Sequence, residues 1–277
     1  MSPRLDGPLP EPAATPQRRR PPSRWGAWVH NYTQRHSLLL HEGGLWDAGA
    51  TREPLAPPHH HAGFGDWCVG HTGRVCDLWL SGALVHEMVC DPSLPLSSDT
   101  ALLEHARAAL VHYHGDVALR WPLAAWSARG QQGVSALHRV DVEQLVQQAR
   151  AGGVRLRFVR PWWVRVLVLA LRRAPQLRSH PCIWLLIIEG RFVSALRLHH
   201  GALVELRSHW LLAATPAQVQ AFVGSLHEGA AERPHRASVC ALGYGLAAGD
   251  LGAVETLAPL TTPAPAAQWL LPEAQAR

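Results

Sequence analysis

Residues Ile183 to Trp210 read IWLLIIEGRFVSALRLHHGALVELRSHW, and this stretch decides the fold class. Its apolar runs, Ile183 to Glu189, Phe192 to His199 and Leu203 to Trp210, are separated by Glu189-Gly190-Arg191 and His200-Gly201. Short runs of large and β-branched residues punctuated by glycine turns predict a three-strand meander. Downstream, Thr215-Pro216 supplies an N-cap threonine and an N1 proline for a helix reaching His227. Ser238 to Leu242 predicts a strand, Gly243 to Gly249 a turn, and Leu251 to Leu257 a helical segment.

The preceding region carries a related order. Trp67 to Cys76 and Leu78 to Val89 predict hairpin strands, with turns at Gly70 to Gly73 and Ser81-Gly82. Asp99 to His112 has helical spacing, and Val117 to Trp126 and Gly133 to His138 predict two more strands. Asp141 is an N-cap for a helix from Val142 to Ala151, which Gly152-Gly153 ends. In Val154 to Val159 apolar residues alternate with Arg155 and Arg157, and Pro161 opens a helix from Trp162 to Arg173. Hairpins followed by helix–strand alternation, twice over, predict an α/β protein with mixed sheets.

This order of elements resembles the actin-like fold, two RNase H-like lobes of mixed sheet flanked by helices. Within that fold it is similar to the actin-like proteins of type IV pilus and type II secretion assembly (the PilM, GspL and MshI kind). The resemblance runs from about 66 to 258 and rests on short strings. Gly190 sits where the second lobe's phosphate hairpin would turn, and Gly201 to Arg207 resembles the family's GxLxxLR-like stretch. Cys240 to Gly249 (CALGYGLAAG) resembles the glycine-rich turn that lies against adenosine, and Val154 to Trp163 the crossing strand and its helix. Composition predicts a disordered Arg/Pro-rich arm over 1–24, a poorly defined segment and linker over 25–65 and a loose tail over 259–277, and the resemblance implies a first lobe over 66–180 and a second over 181–258.

The resemblance places candidate cofactor-binding residues at Gly70, Gly73, Glu189, Gly190, Gly243 and Gly245. An active ATPase of this fold needs acids at both phosphate hairpins, because Mg²⁺ takes hard oxygen ligands. The first hairpin candidate, Val69-Gly70-His71-Thr72-Gly73, offers a histidine instead, and the second offers Glu189. All 26 basic residues are arginine, so a P-loop or Schiff-base lysine is excluded. The expectation is no turnover, no resident metal and no required cofactor, with room for residual ATP binding at the glycines. The implied function is a non-catalytic cytoplasmic adaptor, peripheral to the inner membrane, that binds a peptide of an inner-membrane assembly protein. The alternatives are a nucleic-acid-binding protein using the arginine arm, or an ATPase or nuclease of the same superclass.

Other constellations favour plain structure. His59, His60 and His61 lie in a proline-rich stretch, Pro54 to His61, and are expected in a solvated linker rather than around zinc. Cys68 or Cys76 with His71 lacks any nucleophile signature. Asp66, Glu104, Asp116 and Asp141 are too scattered to read as a nuclease centre. Arg155, Arg157, Arg160 and Arg165 with Phe158, Trp162 and Trp163 could stack nucleic acid, but the regular alternation predicts core tryptophans and solvated arginines. Nucleic acid is therefore not an expected partner. The net charge of +5 lies partly in the N-terminal arginines, the five cysteines form no CxxC pair, and the longest apolar runs are too short to span a bilayer.

Overall fold

In a computed structural model the described residues are 35–271, apart from 51–52, 92, 95, 97, 129–130 and 229–237. The expected arm over 1–24 lies outside them. Two five-stranded sheets follow one plan. The first contains β1 (Arg35–His41), β2 (Gly44–Ala50), β3 (Glu53–His61), β4 (Val75–Leu80) and β8 (Arg155–Pro161), ordered β3-β2-β1-β4-β8. The second contains β9 (Ile183–Glu189), β10 (Phe192–His199), β11 (Ala202–Trp210), β12 (Ser238–Tyr244) and β13 (Val254–Thr256), ordered β11-β10-β9-β12-β13. In each, an antiparallel meander is extended by two parallel strands.

The central strand β9 explains its own sequence. Trp184, Leu186 and Ile188 face one apolar cluster, Ile183, Leu185 and Ile187 the other, so both faces are covered. On one side lies α6 (Pro216–Glu228) with Val219, Phe222 and Leu226. On the other lies α4 (Trp162–Arg173), whose Trp162, Trp163, Val166, Leu167, Leu169, Ala170 and Leu171 are buried. The wide apolar face of α4 belongs in a core, and here it packs against Leu39 and Trp79 of the first sheet as well as the second. The far face of the first sheet carries α1 (Phe64–Gly70) and α3 (Val142–Ala151). Asp141 caps α3 as its sequence predicts, its Oδ1 accepting from Gln144 N at 3.0 Å.

Between β4 and α3 an insertion forms a small antiparallel sheet of β5 (His86–Val89), β6 (Leu123–Ala128) and β7 (Gln131–Ala136), ordered β5-β7-β6. It is backed by α2 (Asp99–His114). The short helix α5 (Gln176–Ser179) leads into the second lobe.

The sequence expectations need correction in several places. Residues 35–61 are not a linker: β1 to β3 form the first sheet's meander, so the lobe begins well before residue 66. Pro57 and Pro58 are accommodated because β3 is an edge strand and its pairing with β2 breaks register between Pro54 and His59, so neither nitrogen is needed for the ladder. Trp67 to Cys76 forms not a hairpin but α1, a turn and the start of β4. A 3-10 turn at Gly82–Leu84 interrupts Leu78 to Val89, and another at Asp116–Arg120 precedes β6. Leu251 to Leu257 contains β13 rather than a helix. The tail is docked as far as residue 271: Trp269 and Leu270 are buried, and Ser37 Oγ donates to Leu270 O at 2.9 Å.

Candidate functional site

Four of the six glycine and acid positions singled out in the sequence meet where the lobes face each other. Gly190 turns β9 into β10 with φ 61°, and its N–H donates to Tyr244 O at 2.9 Å. Gly243, at φ 144°, has no room for a side chain, since a Cβ there would lie 1.9 Å from Ile188 O. Gly245 packs beside Gly190, a Cβ on it falling 3.1 Å from the Gly190 Cα. The glycines thus let two backbone segments touch. Their donors are already spent inside the chain: Gly245 N donates to Thr262 O (2.7 Å), Leu246 N to Leu260 O (3.0 Å) and Ala247 N to Ala214 O (2.8 Å). A phosphate cradle requires such N–H groups to point at the ligand.

Glu189 stands at the end of β9. Its Oε1 accepts from Gly82 N at 2.9 Å, while its Oε2 is sealed from solvent without a protein partner. Burial pushes its pKa up to about 7, against the pull of the Gly82 N–H and the nearby Ser81 hydroxyl. Gly82 is pressed onto β10, where a Cβ would lie 2.4 Å from the Phe192 ring and 2.6 Å from Ser194 Oγ. The 3-10 turn after β4 therefore covers the Glu189 carboxylate at the mouth of the second hairpin.

Gly70 and Gly73 do not join this site. They lie between α1 and the beginning of β4, whereas Gly82 follows the other end of that strand. Gly73 N donates to Gly153 O at 2.9 Å and Thr72 Oγ1 to Gly152 O at 2.9 Å, tying the turn to the end of α3. Strand order instead makes the β1–β2 turn, Glu42-Gly43, the first-lobe counterpart of the β9–β10 turn, Gly190-Arg191, and the register puts His41 where the second lobe has Glu189. Glu42 is exposed and ion-paired with Arg139, whose guanidinium lies 5.8 Å from the Trp210 ring centroid. The string around Gly70 misled because its flanking residues mimic a strand.

Sequence reasoning also missed Glu87 on β5. Its carboxylate accepts from Trp163 Nε1 at 2.8 Å, Trp126 Nε1 at 3.1 Å and Ser135 Oγ at 2.8 Å. Burial lifts its pKa to about 7, and those three donors pull the other way. It fastens the small sheet to α4. The tryptophans gave its only sequence signal.

The rival centres resolve into structure. Trp162 and Trp163 are buried core residues, as the alternation predicts, so neither offers a face to a base. Arg157 pairs with the buried Asp77 at 3.2 Å, as Arg35 does at 2.8 Å. Burial pushes the Cys68 thiol up to about 11 and Cys76 higher still, leaving both protonated and poorly nucleophilic. Asp66, Glu104, Asp116 and Asp141 sit on separate elements and do not gather. His59, His60 and His61 lie on β3, opposite Asp47, Trp46 and Leu45.

No protein-family model and no curated protein matches the sequence. Solved structures do. The cytoplasmic domain of EpsL, an inner membrane component of the type II secretion system of Vibrio cholerae, superposes with TM-score 0.54 and 12% identity, over 86% of this chain and 92% of that one. A Bacteroides thetaiotaomicron protein with an actin-like ATPase fold and unknown function gives TM-score 0.51 and 8% identity, over 78% and 84%.

The fold is actin-like.

The PilM–PilN type IV pilus biogenesis complex gives TM-score 0.50 and 13% identity, over 76% of this chain and 82% of the matched one. The actin-like resemblance seen in the sequence is borne out in three dimensions, and both lobes carry it. Among the described residues no helix is long and apolar enough to cross a membrane.

Proposed function

We propose that this chain is a non-catalytic scaffold of a type IV pilus-like or type II secretion-like assembly, working at the cytoplasmic face of the inner membrane. The observation that carries the non-catalytic reading is the covered Glu189 carboxylate. Glu189 is engaged by Gly82 and titrates near neutrality, Glu42 is engaged by Arg139, and the glycine-turn donors are used within the chain. A magnesium ion would have to displace each of these contacts to find its oxygen ligands. The assembly reading is supported by the fold shared with the EpsL cytoplasmic domain and the PilM–PilN complex.

The partner in this proposal is a cytoplasmic peptide of an inner-membrane assembly protein. An apolar groove of about 860 Å³ beside α2 supports a seat for it, lined by Leu103, Ala108, Val111, Leu119 and Leu123 with Glu104 and Arg107 at its rim. Apolar grooves of this kind take the apolar stripe of a helical peptide. Two measurements test the proposal. ATP with magnesium should produce neither phosphate release nor a rise in melting temperature. The cytoplasmic peptide of an inner-membrane protein encoded beside this chain should bind, and Leu119→Arg, at an exposed position, should abolish that binding. Magnesium-dependent phosphate release that Glu189→Ala removes would overturn the non-catalytic reading.

A further inference from the structure

We propose that His36, Asp47 and His71 form a binding site for one divalent cation of the zinc class on the α1 face of the first sheet. The site lies apart from the groove between the lobes and from the groove beside α2. His36 comes from β1, Asp47 from β2, and His71 from the residue that ends α1. One donor atom from each lies within 4.8 Å of the other two. His36 Nδ1 is 3.1 Å from Asp47 Oδ2, and His71 Nε2 is 3.9 Å from the same oxygen. Two donors held about 2.1 Å from a shared tetrahedral ion stand about 3.4 Å apart, so these separations bracket the requirement.

The protonation pattern suits an ion. His71 Nδ1 lies 2.7 Å from Trp67 O, and a carbonyl can only accept, so Nδ1 carries the proton. In the neutral ring, Nε2 then points a lone pair toward a carboxylate oxygen. Those two acceptors, 3.9 Å apart, leave a gap that a metal ion, or a proton on Nε2, would close. A metal-binding histidine characteristically anchors its other nitrogen to a backbone carbonyl in this way.

The donors are also held firmly. Asp47 is 2% exposed, its Oδ1 accepting from Gly49 N at 2.7 Å and its Oδ2 from Trp67 Nε1 at 2.8 Å. The His71 ring stacks on Trp67 with centroids 4.3 Å apart and 10° between planes, and His36 meets both rings edge-on. The His71 side chain is 26% exposed, which leaves a way in from solvent. His61 on β3, its ring centroid 6.0 Å from that of His71, is the nearby candidate for a fourth ligand. Two imidazoles and a carboxylate suit zinc and its neighbours, whereas magnesium and calcium prefer an all-oxygen shell. Binding replaces the proton that His36 Nδ1 donates to Asp47.

The test uses the full chain, freed of any affinity tag and stripped with a chelator. Titration with zinc chloride should give one saturable equivalent, and cobalt(II) should develop the visible absorption of a four-coordinate site. His71→Gln and His36→Gln should each weaken zinc binding roughly tenfold or more. The double change His59→Gln with His60→Gln, both exposed, should leave binding intact. Because cobalt absorption is read on the unaltered chain, the proposal stays testable even if a variant fails to fold. It is overturned by no saturable zinc uptake, or by binding that the His59/His60 change abolishes and His71→Gln leaves untouched.

Discussion

In the first lobe the turn between β1 and β2 carries Glu42 and Gly43; in the second, β9 ends on Glu189 and the turn to β10 carries Gly190 and Arg191. The same dipeptide stands one register position apart in the two hairpins, with Glu42 in the turn and Glu189 on the strand, and the two acids live differently. Glu42 is exposed and shares its charge with Arg139, whereas Glu189 is shut beneath Gly82 and held near neutrality. Turn chemistry repeats because a tight connection between antiparallel strands favours glycine wherever it occurs. The state of the neighbouring acid depends on what the rest of the chain lays over it. Among the described residues an inserted sheet stands only in the first lobe, and its opening turn covers the hairpin of the second.

That contrast can be broken most sharply at the glycines. Gly243→Ala should destabilise the protein by about 3 kcal/mol or more, because it combines a left-handed φ with a collision against backbone that cannot move aside. The shift in urea midpoint measures it. Gly70→Ala is the opposite case: a Cβ there meets nothing within 4 Å, and the position closes a helix. It should stabilise by about 0.5 kcal/mol or leave stability unchanged, and this is the smallest of the effects.

Between those extremes, the buried acids sharpen the difference through pH. For Glu87 and Glu189 the folded pKa of about 7 lies above the ordinary 4.5, so the folded state holds protons that the unfolded chain has lost. Stability is therefore full below pH 4.5 and falls as pH rises toward 7, by up to about 1 kcal/mol per unit for each group. Glu189→Gln should flatten that fall, and Glu87→Gln likewise, in denaturant midpoints taken from pH 4.5 to 7. Arg139→Ala, which breaks only a surface pair and a ring contact, should cost about 0.5 kcal/mol in the same assay.

Local pattern made much of this fold legible, because the elements it identified bury their own stripes. The strands Ile183–Glu189 and Phe192–His199, the helix Trp162–Arg173 after Pro161, and the Asp141 cap were all readable from a few adjacent residues. Elements that take their conformation from neighbours were not. β3 holds its prolines only because it lies at the sheet edge and its pairing with β2 breaks register there. α1 is too short to show a helical period, and β13 is a strand because β12 offers it a parallel partner. The site was half legible. Glu189, Gly190, Gly243 and Gly245 were found through glycines, while Gly82, Glu87 and the Asp47 cluster have partners far away in the chain.

By itself the sequence determined a repeated strand–helix order, a helix from Trp162 to Arg173 opened by Pro161, and a lack of lysine that rules out several chemistries. Periodicity and residue identity are properties of neighbouring positions, so no folding is needed to see them. Only the tertiary structure decided that Gly82 would seat on Glu189, 107 residues away, and that His36, Asp47 and His71 would converge from three elements. Those arrangements follow from burying two sheets against one shared helix, and burial depends on the whole chain at once.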